Sequence, residues 1–438
     1  MKRLFAVTAA IALLSLGTLA QAVVIETVPV GDPGNAGELS GSGAGGDGPD
    51  RICGAVGYTY NIGKYEVTAG QYTAFLNAVA ATDTYGLYNT DMWNSVYGCK
   101  IQRDGMFGSY SYSVENDWAN RPVNFVSYWD SCRFSNWLHN GQPTGLQNAL
   151  TTEDGAYTIN GYNDVDGGMI HRNAGWKWAV TSEDEWYKAA YYDPNKAGGA
   201  GYWDYPTSSD TAPGQDMADA SGNNANYYTY PYVYPIDSGK YTTVAGEFQN
   251  SDSPYGTFDQ GGNVWEWNDT ILYQDANYAY RGCRGGSFDD GYGAYLHASS
   301  RHYHSWDYPT LEWVNVGFRV SEAVPEPPLL IVIDVRPGSE RNNINLGSRG
   351  VVPVAVLTTD EFDASSVDPA TCRFAEAAAV AWVMEDVDRD YDEDLILRFD
   401  TQQIKLSADA CTATLVGETR DGQAVEGTDS VRIVPPAE

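Results

Sequence analysis

The sequence predicts an α+β domain with low regular secondary structure, followed by a small all-β domain of the immunoglobulin-like sandwich type. Three observations carry this expectation. Three short helix signals, each opened by a capping pair, sit among long stretches rich in Gly, Asn, Asp and Tyr. Ala323-Val324-Pro325-Glu326-Pro327-Pro328 is an extended linker, because each proline fixes its own φ and biases the preceding residue away from helix. Beyond it the pattern changes to short apolar or alternating runs separated by turns.

In chain order, Lys2 and Arg3, an apolar run from Leu4 to Leu19 and the small-residue Ala20-Gln21-Ala22 have the layout of a secretory signal. Residues 1–22 therefore read as a signal peptide cleaved near Ala22. No later stretch is apolar for long enough to span a bilayer, so no integral membrane segment is expected after cleavage. The mature protein is expected to be secreted, periplasmic or at the cell surface. Residues 23–50, rich in Gly, Ser and Asp from Gly41 onward, read as a flexible lead-in to a first domain at 51–322. Tyr58 to Tyr65 alternates as a strand. Thr68 with Gln71 makes a capping box for a helix carrying Tyr72, Phe75, Leu76 and Val79 on one face. Ser127 with Asp130 opens a second helix, striped by Phe134, Trp137 and Leu138. A third starts at Thr181, capped with Asp184. After the linker at 323–328, domain 329–438 has strand-like runs at Leu330 to Val335, Val351 to Leu357, Val380 to Met384, Leu395 to Phe399 and Val431 to Val434.

A balance of 26 basic against 58 acidic residues, formally −32, repels nucleic acid and anionic lipid and favours cations. Nucleic acid is not an expected partner. The 13% aromatic content and 46 glycines argue against a disordered chain despite that charge. Six cysteines in an exported chain permit disulfides. Cys372 with Cys411 is the expected bridge, because they are the pair in the second domain, and Cys53 with Cys99 is a further candidate. Cys132 reads as a buried small hydrophobe.

Gly261-Gly262-Asn263-Val264-Trp265-Glu266-Trp267, then Arg284-Gly285-Gly286-Ser287-Phe288, then Gly317-Phe318-Arg319-Val320 are the most specific stretches. With Tyr65-Glu66-Val67-Thr68, Arg121-Pro122-Val123 and Thr181-Ser182-Glu183-Asp184-Glu185-Trp186 they form six blocks in order. Together the blocks resemble the formylglycine-generating enzyme (sulfatase-modifying factor) family, a variant of the C-type lectin fold, over about residues 50 to 322. The resemblance implies structural calcium at the Asn-Val-Trp-Glu-Trp turn, held by Asp259 and Glu266 side chains and Gly262 and Val264 carbonyls. A second ion would fall near Asn226, Tyr227 and Asp237. The alternative is that Glu266 merely hydrogen-bonds a buried turn. In the family a cysteine pair shortly after Gly-Gly-Ser binds copper and oxidises a substrate cysteine to formylglycine. Here those positions are Asp290 and Tyr295, neither a soft ligand, so copper and that activity are not expected.

Two further patterns are read from the residues themselves. Between Phe288 and Gly317, Asp289, Asp290, Tyr292, Tyr295, His297, Arg301, His302, Tyr303, His304, Trp306 and Trp313 have the composition of a recognition surface, rigid aromatic area interspersed with adaptable polar groups. His302-x-His304, with Asp289 or Asp290 as a third ligand, is a weaker zinc pattern. In the second domain Asp386, Asp388, Asp390 and Asp394 stand at positions one, three, five and nine of a calcium-type loop, with Tyr391 where glycine normally makes the sharp turn. The reading is an exported, calcium-stabilised binder of an extracellular glycan or protein. The alternative is a sulfatase-modifying oxidase or a divergent metalloenzyme of that family.

Overall fold

The computed structural model describes residues 22–165, 170–219, 222–229, 239–275, 278–291, 293–301, 308–325 and 327–435. The chain divides into two compact units, Met1–Val324 and Pro325–Glu438.

In the first unit, helices α1 (Ala69–Val79), α2 (Tyr128–His139) and α3 (Glu183–Tyr191) are the ones longer than one turn among the described residues. Thr68 and Ser127 cap α1 and α2 with reciprocal bonds to Gln71 and Asp130, as their sequences predict. The third cap falls one residue later than expected. Ser182 accepts from Glu185 N and Glu185 answers Ser182 N, while the Thr181 hydroxyl donates to Arg319 O. Strands β1 (Thr27–Val30), β2 (Tyr60–Gly63), β3 (Trp178–Val180), β4 (Trp265–Gln274), β5 (Ala279–Arg284), β6 (Val316–Phe318) and β7 (Val320–Ala323) make two sheets. One has the order β1-β2-β7-β3 and the other β5-β4-β6, with β4 and β6 parallel. Residues 23–50 are thus not a loose lead-in. β1 pairs with β2 across four positions, and Val30 is buried against Tyr60 and Ile62. The composition rule missed this because Val28 and Val30 gain an apolar partner only from a distant segment.

The α1 and α2 faces meet in an aromatic core. Phe75 and Phe134 lie 5.3 Å apart edge to face, and Phe134 and Phe318 lie 5.4 Å apart. Cys132 is buried in this core, as its residue type suggests.

The second unit is all-β. Strands β8 (Leu329–Leu330), β9 (Ile333–Val335), β10 (Val351–Val356), β11 (Val367–Phe374), β12 (Ala377–Glu385), β13 (Asp394–Asp400), β14 (Thr412–Thr419) and β15 (Ala424–Ser430) form one sheet of order β8-β15-β14-β11-β12-β13-β10-β9. β8 and β9 are near-consecutive in the chain yet stand at opposite ends of that order, so the sheet must curl until its ends meet. Ile331 N donating to Glu426 O at 2.9 Å and Val335 N to Asp429 Oδ2 at 2.9 Å make that closure. Val335, Val354, Phe374, Leu397, Phe399 and Leu415 fill the interior.

The expected Cys372–Cys411 bridge is absent, and none of the six cysteines is in a disulfide. The register explains it. Arg373 pairs with Val416, which puts Cys372 opposite Gly417, and Cys411 lies six positions back along the chain, roughly 20 Å away at strand rise. Cys53 and Cys99 are likewise unbridged. Mass-spectrometric thiol labelling of the unreduced, denatured protein should therefore find six reactive cysteines; a fragment joining Cys372 to Cys411 would show that the β11–β14 register is wrong.

Candidate functional site

The sequence blocks meet in one buried ionic network. Glu266, on β4, receives Arg319 side-on, Nη2 to Oε1 at 2.8 Å and Nε to Oε2 at 2.9 Å, and Trp186 Nε1 donates to the same Oε2 at 2.7 Å. All three residues are buried. Both oxygens of Glu266, expected on a calcium ion, are thus engaged by a guanidinium and an indole. Arg319 goes on to donate to Gly63 O and Phe258 O.

Glu183, at the start of α3, gathers three arginines. Arg284 Nε and Arg301 Nε donate to Oε1 at 2.9 and 2.6 Å, Arg301 Nη2 to Oε2 at 2.7 Å, and Arg51 Nη1 to Oε2 at 2.5 Å. Burial alone would raise the Glu183 carboxyl, but Arg284 and Arg301 hold it down to about 2. Arg301, expected on the recognition surface, is instead buried in this clamp and belongs to the scaffold. The glycines of Arg284-Gly285-Gly286-Ser287 both take positive φ, 103° and 74°, which turns the chain out of β5 toward the surface.

The described surface residues are Asp289, Asp290, Tyr295, His297 and Trp313; Tyr292, His302, Tyr303, His304 and Trp306 lie outside the described residues. Asp289 and Trp313 are exposed. Ser287 Oγ donates to Asp290 Oδ2 at 2.6 Å, and Tyr295 packs edge to face on Trp265 at 5.9 Å. His297 borders a cavity of about 280 Å³ with Tyr205, Asp47 and Ser299. Its Nδ1 lies 2.8 Å from Ser299 Oγ and its Nε2 lies 3.7 Å from Asp204. A larger cavity of about 780 Å³ lies elsewhere, between residues 23–26, 65–71, 119–120 and 244–245.

The carboxylates around the Asn-Val-Trp-Glu-Trp turn outnumber their cations. Glu66, 1% exposed, accepts from Asn263 Nδ2 on Oε1, while its Oε2 has no hydrogen-bond partner. Burial, with Asp259 beside it, pushes its carboxyl well above the ordinary range. Burial also raises Asp259 to about 6, against the pull of its bond from Gly246 N. Asn226 Oδ1 is a second buried orphan oxygen. Gly262 sits over Asn226 at φ 84°, where any Cβ would come 2.2 Å from Asn226 O. Asn263 links Asn226 and Glu66, taking Asn226 Nδ2 on its Oδ1 and donating Nδ2 to Glu66, and two orphaned oxygens with two raised carboxyls are the hard donor types that calcium takes. Glu66 is not among the residues expected at this turn, and its place in the Tyr65-Glu66-Val67-Thr68 block is the one sequence signal that points to it. Asp237 lies outside the described residues.

In the second unit Asp386, Asp388 and Asp394 each offer an oxygen within 4.8 Å of the others. Asp390 is not part of that group; its Oδ1 accepts from Asp392 N. Tyr391 takes the left-handed φ of 82° that glycine normally supplies.

This fold and set of blocks define a sulfatase-modifying-factor type of domain. The family model described as Sulfatase-modifying factor enzyme 1-like domain matches residues 54–324, and the chain belongs to that family. Among solved structures, the crystal structure of CarF is similar at 21% identity and a TM-score of 0.40, covering 69% of this chain and 99% of that one. No curated protein matches the chain.

Replacing Glu183 by Gln leaves the buried guanidinium groups of Arg284 and Arg301 under-compensated, with part-exposed Arg51 keeping only Asp184, and should cost roughly 3 kcal/mol or more at neutral pH. Because folding lowers this carboxyl from 4.5 to about 2, its contribution is present above 4.5 and fades as pH falls toward about 2. Denaturation curves of wild type and variant should therefore converge in acid; a constant gap down to about pH 2 would show that the carboxylate charge is not what holds the clamp.

Proposed function

We propose that this protein is an exported, calcium-stabilised binding protein of the sulfatase-modifying-factor family that recognises an extracellular glycan or protein. The observation that carries this reading is the fate of the two copper positions. Asp290 is bonded to Ser287, and Tyr295 is packed on Trp265, so neither offers a thiolate to Cu(I). Cys283, the nearest thiol in sequence, is buried on β5 before the Gly-Gly-Ser turn. What the same segment does offer is an exposed carboxylate at Asp289, an exposed ring at Trp313 and a cavity at His297, the mixture of rigid ring and adaptable polar group suited to recognition.

Calcium would be held in the first unit by Asn226, Asp237, Asp259, Glu66 and the Gly262 and Val264 carbonyls, with Glu266 acting through Arg319 rather than on the ion. In the second unit Asp386, Asp388 and Asp394 would hold it, with Asp390 beside them. The closed β unit reads as an immunoglobulin-like spacer or adhesion module. No helix among the described residues is long and apolar enough to cross a membrane.

Mass spectrometry of a peptide bearing Cys-x-Pro-x-Arg, incubated with the mature protein, copper and oxygen, should show no formylglycine. Conversion would restore the oxidase reading and require a copper site away from Asp290 and Tyr295.

A chelator tests the cation. Folding raises Asp259 from 3.8 to about 6, so its contribution is full below 3.8 and is lost as pH rises through about 6. Above that range the apo protein carries the repelling charges that calcium relieves. Chelation should lower Tm by several degrees at about pH 8 and by less at about pH 5. An unchanged Tm at both would remove calcium from the proposal.

A further inference from the structure

Beyond the segment from Asp289 to Trp313, the β4–β5 hairpin carries an aromatic patch that the core does not use. β4 is buried from Trp265 to Asn268, then shifts register twice before Tyr273, and its outer half emerges from the protein. Tyr273 is the cross-strand partner of Tyr280, and Tyr278 lies two residues before Tyr280, so strand alternation gives all three one face. Tyr308 joins them from the far end of the recognition segment, 5.4 Å from Tyr278 and 5.2 Å from Tyr280. Tyr273 and Tyr280 are 5.5 Å apart, and the Tyr278 and Tyr280 rings are parallel within 9°. Tyr273 and Tyr278 are 44% and 39% exposed. Asp275 ties the turn, accepting from Tyr273 Oη on Oδ2 and from Tyr278 N on Oδ1.

We propose that Tyr273, Tyr278, Tyr280 and Tyr308 form a platform for a neutral oligosaccharide. This rests on the binding reading above and names its ligand class. Size decides against a protein partner. Two exposed and two part-buried tyrosines offer at most on the order of 300 Å², well short of the roughly 800 Å² per partner in a standard protein interface but matched to a few sugar units. Chemistry points the same way. The exposed rings of Tyr273 and Tyr278 offer π surface for the C–H face of a pyranose, and tyrosine hydroxyls suit its alcohol groups. Charge excludes the anionic sugars, because Asp275 borders the patch and the chain carries −32 overall.

Calorimetric titration of the full mature chain with cello-, chito-, manno- and laminari-hexaose tests the platform. At least one should bind, and Tyr278→Ala and Tyr280→Ala should each weaken it roughly tenfold. Tyr278→Phe, which keeps the ring, should stay within a few-fold of wild type, and near-UV circular dichroism should confirm that each variant is folded. If His297→Ala or Trp313→Ala weakens binding while the tyrosine variants do not, the platform is wrong and the surface from Asp289 to Trp313 is the site. Absence of binding by all four sugars at about 1 mM, or binding of sulfated glycans alone, overturns the platform; a protein ligand captured by the Asp289–Trp313 surface would still leave the broader binding reading standing.

Discussion

The first unit depends on pairing two buried glutamates with arginines that come from distant parts of the chain. Glu266 takes Arg319 and Trp186, and Glu183 takes Arg284, Arg301 and Arg51. Arg319, Trp186 and Arg284 sit in different sequence blocks, Arg301 in the surface segment and Arg51 ahead of the first block. A buried carboxylate without a partner would be strongly destabilising, so none of these segments can leave without stranding a charge. Such pairs are weak arguments for net stability, yet they specify one arrangement, because a guanidinium fork meets a carboxylate side-on in only a few geometries.

This explains how a domain with so few regular elements holds long loops in place. Arginines that finish with a glutamate turn their remaining donors on backbone carbonyls, most of them in loops: Arg284 reaches Ala298 O and Ser300 O, and Arg319 reaches Phe258 O and Gly63 O at the end of β2. Asparagines do the same work without charge. Asn136 donates to Thr152 O and Tyr157 O, and Asn124 to Tyr97 O and Val314 O. Loop backbone that would otherwise need a sheet partner is thereby satisfied inside the protein.

Local signals were legible in the sequence and long-range ones were not. The caps at Thr68 and Ser127 depend on residues three apart, so they can be read directly, and the third cap was misplaced by one because Thr181 and Ser182 both offer a hydroxyl. The strands at Val367–Phe374, Thr412–Thr419 and Ala424–Ser430 are not legible in the sequence, since each mixes Thr, Glu, Asp or Gly into its alternation and is defined by its neighbours. Arg301 looked like a surface residue because its neighbours are aromatic and histidine-rich, and only the position of Glu183 reveals it as scaffold. The cysteine pairing failed for the same reason: even parity carries no information about register.

The clamp also bears on where recognition can reside. Arg284 and Arg301 bracket the start of the recognition segment, and Arg284 holds the Ala298 and Ser300 carbonyls. The chain from Ser287 to Arg301 is therefore anchored at both ends, with Asp290 and Tyr295 turned into bonds and packing that support it. Asp290 and Tyr295, where the family resemblance would place copper-binding thiols, bond and pack within the loop instead. A preorganised surface loses less entropy on binding than a mobile one, which is the physical basis of the binding role proposed above. The tyrosines of the β4–β5 hairpin fit that logic, because they stand on a strand pair whose buried half is fixed by Glu266 and the Trp267 bond to Val126 O.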